Sequence, residues 1–127
     1  MTVNIMGVEF PFCFTVHARK AVDEKFGGLQ EFGEKMKEVN DEEAFEIICD
    51  LAAILIEAGV IRARGECELL GRKYDGPAAI DAEKIKELLT PGEAMDLQPQ
   101  ILAEIKRGHK TTIKLKPPKE KNAAATP

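Results

Sequence analysis

Two histidines, three cysteines and one knot of carboxylates are the side chains in this sequence whose types could support chemistry. A metal centre, or a thiol or hydroxyl nucleophile activated by an imidazole, needs partners at characteristic spacings. His17 opens an amphipathic segment with no Cys or Asp spaced as a co-ligand, and His109 lies in a basic stretch. Both are read as solvated. Cys13, Cys49 and Cys67 are odd in number, far apart, and contain no CxxC. That pattern argues against a disulfide framework and against structural zinc. Cys49 sits in the most apolar stretch and reads as a small buried hydrophobe. Asp41, Glu42, Glu43 and Glu46 crowd a helix start, where acids complement the positive end of the helix dipole. Their spacing is not that of a calcium loop. Gly27-Gly28 and the pair Gly65/Gly71 form neither GxGxxG nor a P-loop. No catalytic, cofactor-binding or metal-ligating residue is therefore assigned, and the expectation is a non-enzymatic protein without a cofactor.

Charge supplies the stronger signal. From Lys106 to Pro127 the chain carries seven bases (Lys106, Arg107, Lys110, Lys114, Lys116, Lys119, Lys121) and one acid, Glu120, a net +6. The other 105 residues hold 11 bases and 21 acids, a net −10, and the overall −4 conceals the division. An acidic body with a basic tail points to contact with another molecule. Nucleic acid is disfavoured, because the acidic body repels a polyanion and the tail has no aromatic on which a base could stack. A solvated, solubilising tail is the plainer reading; among contacts, an acidic partner protein, or a neighbouring subunit's acidic body, suits the tail better than nucleic acid. Lys106, Arg107, Lys110, Lys114 and Lys116 are the candidate partner-binding residues.

The elements that must position these groups are legible as a mainly α, α+β domain over 3–108 and a disordered basic tail over 109–127. Val3-Asn4-Ile5-Met6-Gly7-Val8-Glu9-Phe10 predicts a short hairpin, with Gly7 supplying positive φ and Met6 a poor companion for it. Phe10, Phe12 and Phe14 continue with period two, and Pro11 confines that strand to an edge or interrupts it. Thr15 caps a helix over 16–26 that Gly27-Gly28 ends. Leu29, Phe32, Met36 and Val39 mark a second, amphipathic helix. Asn40 and Glu43 make a capping-box-like start to a third, apolar around most of its circumference from Phe45 to Ile56 and expected to close at Gly59. This third helix should be central, since each buried side chain such as Leu51 contributes about 1.5–3 kcal/mol. Over 60–79 the glycines Gly65, Gly71 and Gly76 with Pro77 predict a loop holding a short helix near 66–70. Asp81 caps a fourth helix. Thr90-Pro91-Gly92-Glu93 opens a fifth with a complete capping box, and Pro99 should bend or restart it.

The stretch from Ile47 to Ile61 contains Asp50 and Glu57 and is too short and too charged to span a bilayer. The N-terminus lacks the basic and apolar regions of a signal peptide. The expected setting is therefore a reducing, aqueous compartment. Beyond Gly108, Thr111-Thr112-Ile113-Lys114-Leu115-Lys116 alternates as a strand that could pair with a partner, and the following residues have too little apolar surface to order themselves. Deleting residues 110–127 is accordingly expected to leave the melting temperature nearly unchanged; a large fall would show that the tail packs on the body.

The order of these parts resembles the tail assembly chaperones of long-tailed, siphovirus-like bacteriophages and related prophages. The resemblance covers residues 3–108. It rests on the hairpin Val3-Asn4-Ile5-Met6-Gly7-Val8-Glu9-Phe10, on Phe14-Thr15-Val16 with the following helix to Lys25-Phe26-Gly27, on the apolar helix from Phe45 to Gly59, on Leu88-Leu89-Thr90-Pro91-Gly92-Glu93, and on the charged tail. It implies a protein of the bacterial host cytoplasm that binds the tape-measure protein, keeps it soluble, helps the tail tube polymerise around it, and is absent from the finished virion. Other tail proteins and self-association are further contacts it allows. Many members of that family are also made in a longer frameshifted form, and Lys121-Asn122 is a pair that an A-rich slippery run could encode. The family has no catalytic residues to carry over. The rival expectations are a minor tail protein retained in the particle and a small nucleic-acid-binding regulator.

Overall fold

A computed structural model describes residues 1–108. The tail residues Lys110, Lys114 and Lys116, His109, and the expected disorder of 109–127 lie outside the described residues. Two strands, β1 (Thr2–Ile5) and β2 (Val8–Pro11), are followed by five helices: α1 (Val16–Phe26), α2 (Leu29–Glu38), α3 (Asp41–Leu69), α4 (Ala82–Leu88) and α5 (Pro91–Gly108). The mainly helical α+β architecture with an N-terminal hairpin is the one the sequence predicts.

The hairpin pairs Ile5 with Val8 and Val3 with Phe10 across a two-residue turn. Both turn residues take positive φ, Met6 at 54° and Gly7 at 87°, the conformation whose twist suits a tight antiparallel pair. The Gly7 amide donates to Asn4 Oδ1 at 3.0 Å. On the solvent face Thr2 and Asn4 both donate to the Glu9 carboxylate, at 2.7 and 2.8 Å. The opposite face buries Val3, Ile5 and Phe10. Pro11 pairs with Thr2, a position flanked by the hydrogen-bonded couples Val3–Phe10 and Met1–Phe12, so its missing N–H removes nothing from the ladder.

Helix starts follow their caps. Thr15 accepts from the Ala18 amide, Asn40 from Glu43 and Asp81 from Lys84, each three residues on. At Thr90 the exchange is reciprocal: Thr90 Oγ1 accepts from the Glu93 amide at 3.2 Å and Glu93 Oε1 accepts from the Thr90 amide at 3.0 Å. Helix α5 then runs unbroken through Pro99. Gln100 donates its side-chain amide to the Asp96 carbonyl at 3.1 Å, inside the turn that Pro99 disturbs.

Helix α3 corrects two expectations. It does not close at Gly59, and no separate short helix stands near 66–70; one helix of 29 residues covers both. A glycine inside a helix costs about 1 kcal/mol relative to alanine. The burial of Ile56, Ala58 and Val60 around Gly59 outweighs that loss. The helix ends at Gly71, whose φ is +70°. There the Arg72 amide donates to the Cys67 carbonyl at 2.7 Å and the Gly71 amide to the Glu68 carbonyl at 3.2 Å, the paired bonds of a Schellman motif. Beyond it, Tyr74 donates to the Pro77 carbonyl at 2.6 Å, and the Arg64 guanidinium lies 5.4 Å from the Tyr74 ring centre.

Helix α3 packs against α1, α4, α5 and β2, and so forms the axis of the core. Leu51, Leu55 and Ile56 on α3 are fully buried with Phe12, Val22, Ile85 and Ile101 from its neighbours. Helix α2 packs chiefly on α1, where Phe26 and Phe32 meet edge to face at 5.3 Å. The last turns of α3 leave the core, and Ile61 and Leu69 are exposed there.

Candidate partner-binding surfaces

The side chains with chemical potential are dispersed by the fold. His17 lies on the first turn of α1, 3.8 Å from Glu57 Oε1, with both side chains more than half exposed. Cys13 and Cys49 are buried, Cys67 is half-buried, and all three are free thiols. Burial pushes the Cys49 thiol above its ordinary value, against a smaller opposing pull from Lys86. A thiol held in that direction is a poor nucleophile. Asp41, Glu42 and Glu43 occupy the first turn of α3, as a helix start favours. Among the described residues no three His, Cys, Asp or Glu side chains converge as a metal site would require.

One ionic cluster joins three helices. Asp50 of α3, largely buried, receives Lys86 of α4 at 3.2 Å and Lys25 of α1 at 3.8 Å, and Lys86 also meets Glu83 at 3.3 Å. Desolvation is the largest single influence on the Lys86 ammonium and lowers it. The hydrogen bonds and charges of Asp50 and Glu83 together outweigh it and hold the group above its ordinary value. The cluster anchors α4 and, among the described residues, leaves no free base beside Asp50.

Lys106 and Arg107 fare differently. Lys106 is exposed at the end of α5. Arg107 is committed to its own helix, its guanidinium meeting both oxygens of Glu104 at 3.0 and 2.6 Å. Glu104 is 0% exposed, the only buried charged side chain among the described residues. It also accepts from the Phe14 amide at 3.4 Å, and Arg107 reaches Cys13 Sγ at 3.9 Å. The hydrogen bond to Glu104, against the opposing pull of desolvation, keeps the guanidinium above its ordinary value.

This buried carboxylate ties α5 to the chain leaving the hairpin, and the sequence reading did not single it out. Its signal was present. Ala94, Leu97, Ile101 and Glu104 recur at three- and four-residue spacing along the inward face of α5, and the base three residues on supplies the partner. Glu104→Ala is expected to lower the unfolding free energy by about 2 kcal/mol, less than for a wholly buried pair because Arg107 can turn to water. Glu104→Gln, which keeps an acceptor, should lose about half as much. Denaturant titration measures both, and equal losses would show that the acceptor is unimportant.

Two apolar grooves offer surfaces to a partner. The first, about 200 Å³, lies between α2, α3 and α5 and is lined by Phe32, Met36, Ile48, Leu51, Ile101 and Leu102 among others. The second, about 360 Å³, lies between the first half of α3 and the α4–α5 junction. Both are walled mainly by apolar side chains. No helix among the described residues is long and apolar enough to cross a membrane. No family model, curated protein or solved structure matches the chain.

Proposed function

We propose that the protein is a tail assembly chaperone of a long-tailed bacteriophage or prophage. In this reading it acts in the host cytoplasm, holds the tape-measure protein soluble, and delivers it to the growing tail tube. The observation that carries the reading is the groove between α2, α3 and α5. A tape-measure protein is a long helical chain whose apolar stripes are uncovered before assembly. An amphipathic helix of that kind places one face into an apolar groove through side chains spaced three and four apart. Half-exposed Leu102 and half-buried Met36 flank the groove, while Phe32, Ile48 and Ile101 form its buried wall. The net −10 of the body keeps such a complex soluble.

Co-expression with the protein encoded by the large neighbouring gene tests the reading. The wild-type chain should bring that protein into the soluble fraction as a complex, and Leu102→Asp should abolish the gain without unfolding the chaperone. No gain with the wild-type chain overturns the proposal. Recovery of the chain in purified particles would favour a retained tail protein instead, and retardation of DNA in a salt-dependent manner would favour a nucleic-acid-binding regulator.

A further inference from the structure

The second groove has its own chemistry. Phe45 and Cys49 of α3 face Leu89, Pro91 and Ala94 across it, and Glu42 and Glu46 stand one helical turn apart on its rim. Among the described residues Lys86 is the one base in the lining, and its ammonium is already bound to Asp50 and Glu83. The hollow is therefore apolar within and acidic at the edge. The segment Thr111-Thr112-Ile113-Lys114-Leu115-Lys116 has the complementary make-up. Extended, it sets Ile113 and Leu115 on one side, and its lysines are long enough to bend back to the rim.

The same copy is poorly placed to supply both side chains. The chain leaves the described body at Gly108, which is fixed against Phe14: a Cβ there would meet the Phe14 carbonyl oxygen at 2.7 Å. On α5 the groove is lined by Pro91 and Ala94, 17 and 14 residues away, or roughly 26 and 21 Å at ~1.5 Å per residue. Full extension from Gly108 carries Ile113 at most about 18 Å and Leu115 about 25 Å. Ile113 therefore falls short of the groove, and Leu115 comes to its near end with too little length left for the reversal that a return along α5 demands. We propose that residues 111–116 of one copy dock in the α3/α4–α5 groove of a second copy, with Ile113 and Leu115 inserted and Lys114 and Lys116 on Glu42 and Glu46. Donor and acceptor are different surfaces, so the contact closes by reciprocal exchange in a dimer or by a ring of copies. It concerns a different surface from the tape-measure groove and stands or falls separately.

Sedimentation velocity of the full-length chain, from micromolar to near-millimolar concentration, reads the association directly. The wild-type chain should self-associate, and raising the salt from about 50 to about 500 mM should weaken it by screening the rim. The double variant Ile113→Asp, Leu115→Asp should weaken it at least about tenfold. Glu42→Lys with Glu46→Lys should do the same, and adding Lys114→Glu and Lys116→Glu to that variant should restore it. A photo-crosslinker at position 115, in a mixture of isotopically light and heavy chains, should join unlike chains at the groove. A wild-type chain that remains monomeric overturns the proposal. So does association indifferent to the Ile113/Leu115 pair, or a crosslink confined within one chain.

Discussion

Gly59→Ala is expected to destabilise the protein by about 3 kcal/mol or more, the upper range for overpacking a close-packed site. An alanine Cβ at that position would lie 2.4 Å from the Pro11 carbonyl carbon and 2.5 Å from the Phe12 nitrogen. Both are backbone atoms and cannot swing aside as a side-chain end can. The contact exists because the chain leaving β2 lies directly on α3, where the Cys13 amide donates to the Leu55 carbonyl at 3.1 Å. Moving the helix away would break that bond and lift Phe12, only 1% exposed, out of its socket. The same substitution two turns further along has the opposite sign. A Cβ at Gly65 meets nothing within 4 Å, so Gly65→Ala should stabilise by up to about 1 kcal/mol through helix propensity alone. Urea titration of the two variants side by side checks both. Equal effects would mean that the hairpin does not press on α3 at Gly59.

These two glycines show which parts of the fold could be read in advance. A glycine announces freedom of the backbone or lack of a Cβ, and one sequence does not distinguish them. Gly27 and Gly71 use positive φ to end helices, the use the sequence rules anticipate. Gly59 uses the missing Cβ, and its partner strand lies more than forty residues earlier. The expected helix end at Gly59 was therefore misplaced by a tertiary contact. The caps at Thr15, Asn40, Asp81 and Thr90 were legible because their hydrogen bonds close within three residues. Phe10, Phe12 and Phe14 are all buried, but β2 ends at Pro11 and Cys13 between the last two rings is buried as well, so Pro11 interrupts the strand and the period-two stripe does not continue as a pleat. The surfaces were harder to read. Apolar stripes on α2 and α5 can be seen along the sequence, but the groove between them needs both helices placed on α3. Arg107 shows what a count of charges leaves out: as a letter in a basic run it belongs to the tail, and in the fold its guanidinium also pairs with Glu104 while the side chain stays 46% exposed.

Leu51→Ala should lower the unfolding free energy by about 2–5 kcal/mol, in the range of other fully buried leucines. Leu51 is 1% exposed and sits on the face of α3 that meets α5. Its side chain also forms part of the floor of the proposed tape-measure groove, so removing it enlarges an existing hollow. Water entering the enlarged space would find mainly apolar wall and recover little of the lost packing. Collapse of the neighbours is restricted too, because Ile48 and Ile101 are held by α3 and α5 themselves. Leu102→Ala in the same groove is the informative contrast. Leu102 is half exposed, and its truncation should change stability by less than about 1 kcal/mol while weakening capture of the partner helix. The two variants thus separate the load on the wall from the load on the rim. Guanidinium titrations should shift the midpoint of Leu51→Ala strongly at unchanged slope and leave that of Leu102→Ala almost in place. A near-neutral Leu51→Ala would remove α3 from the centre of the core, and with it the frame on which both grooves are built.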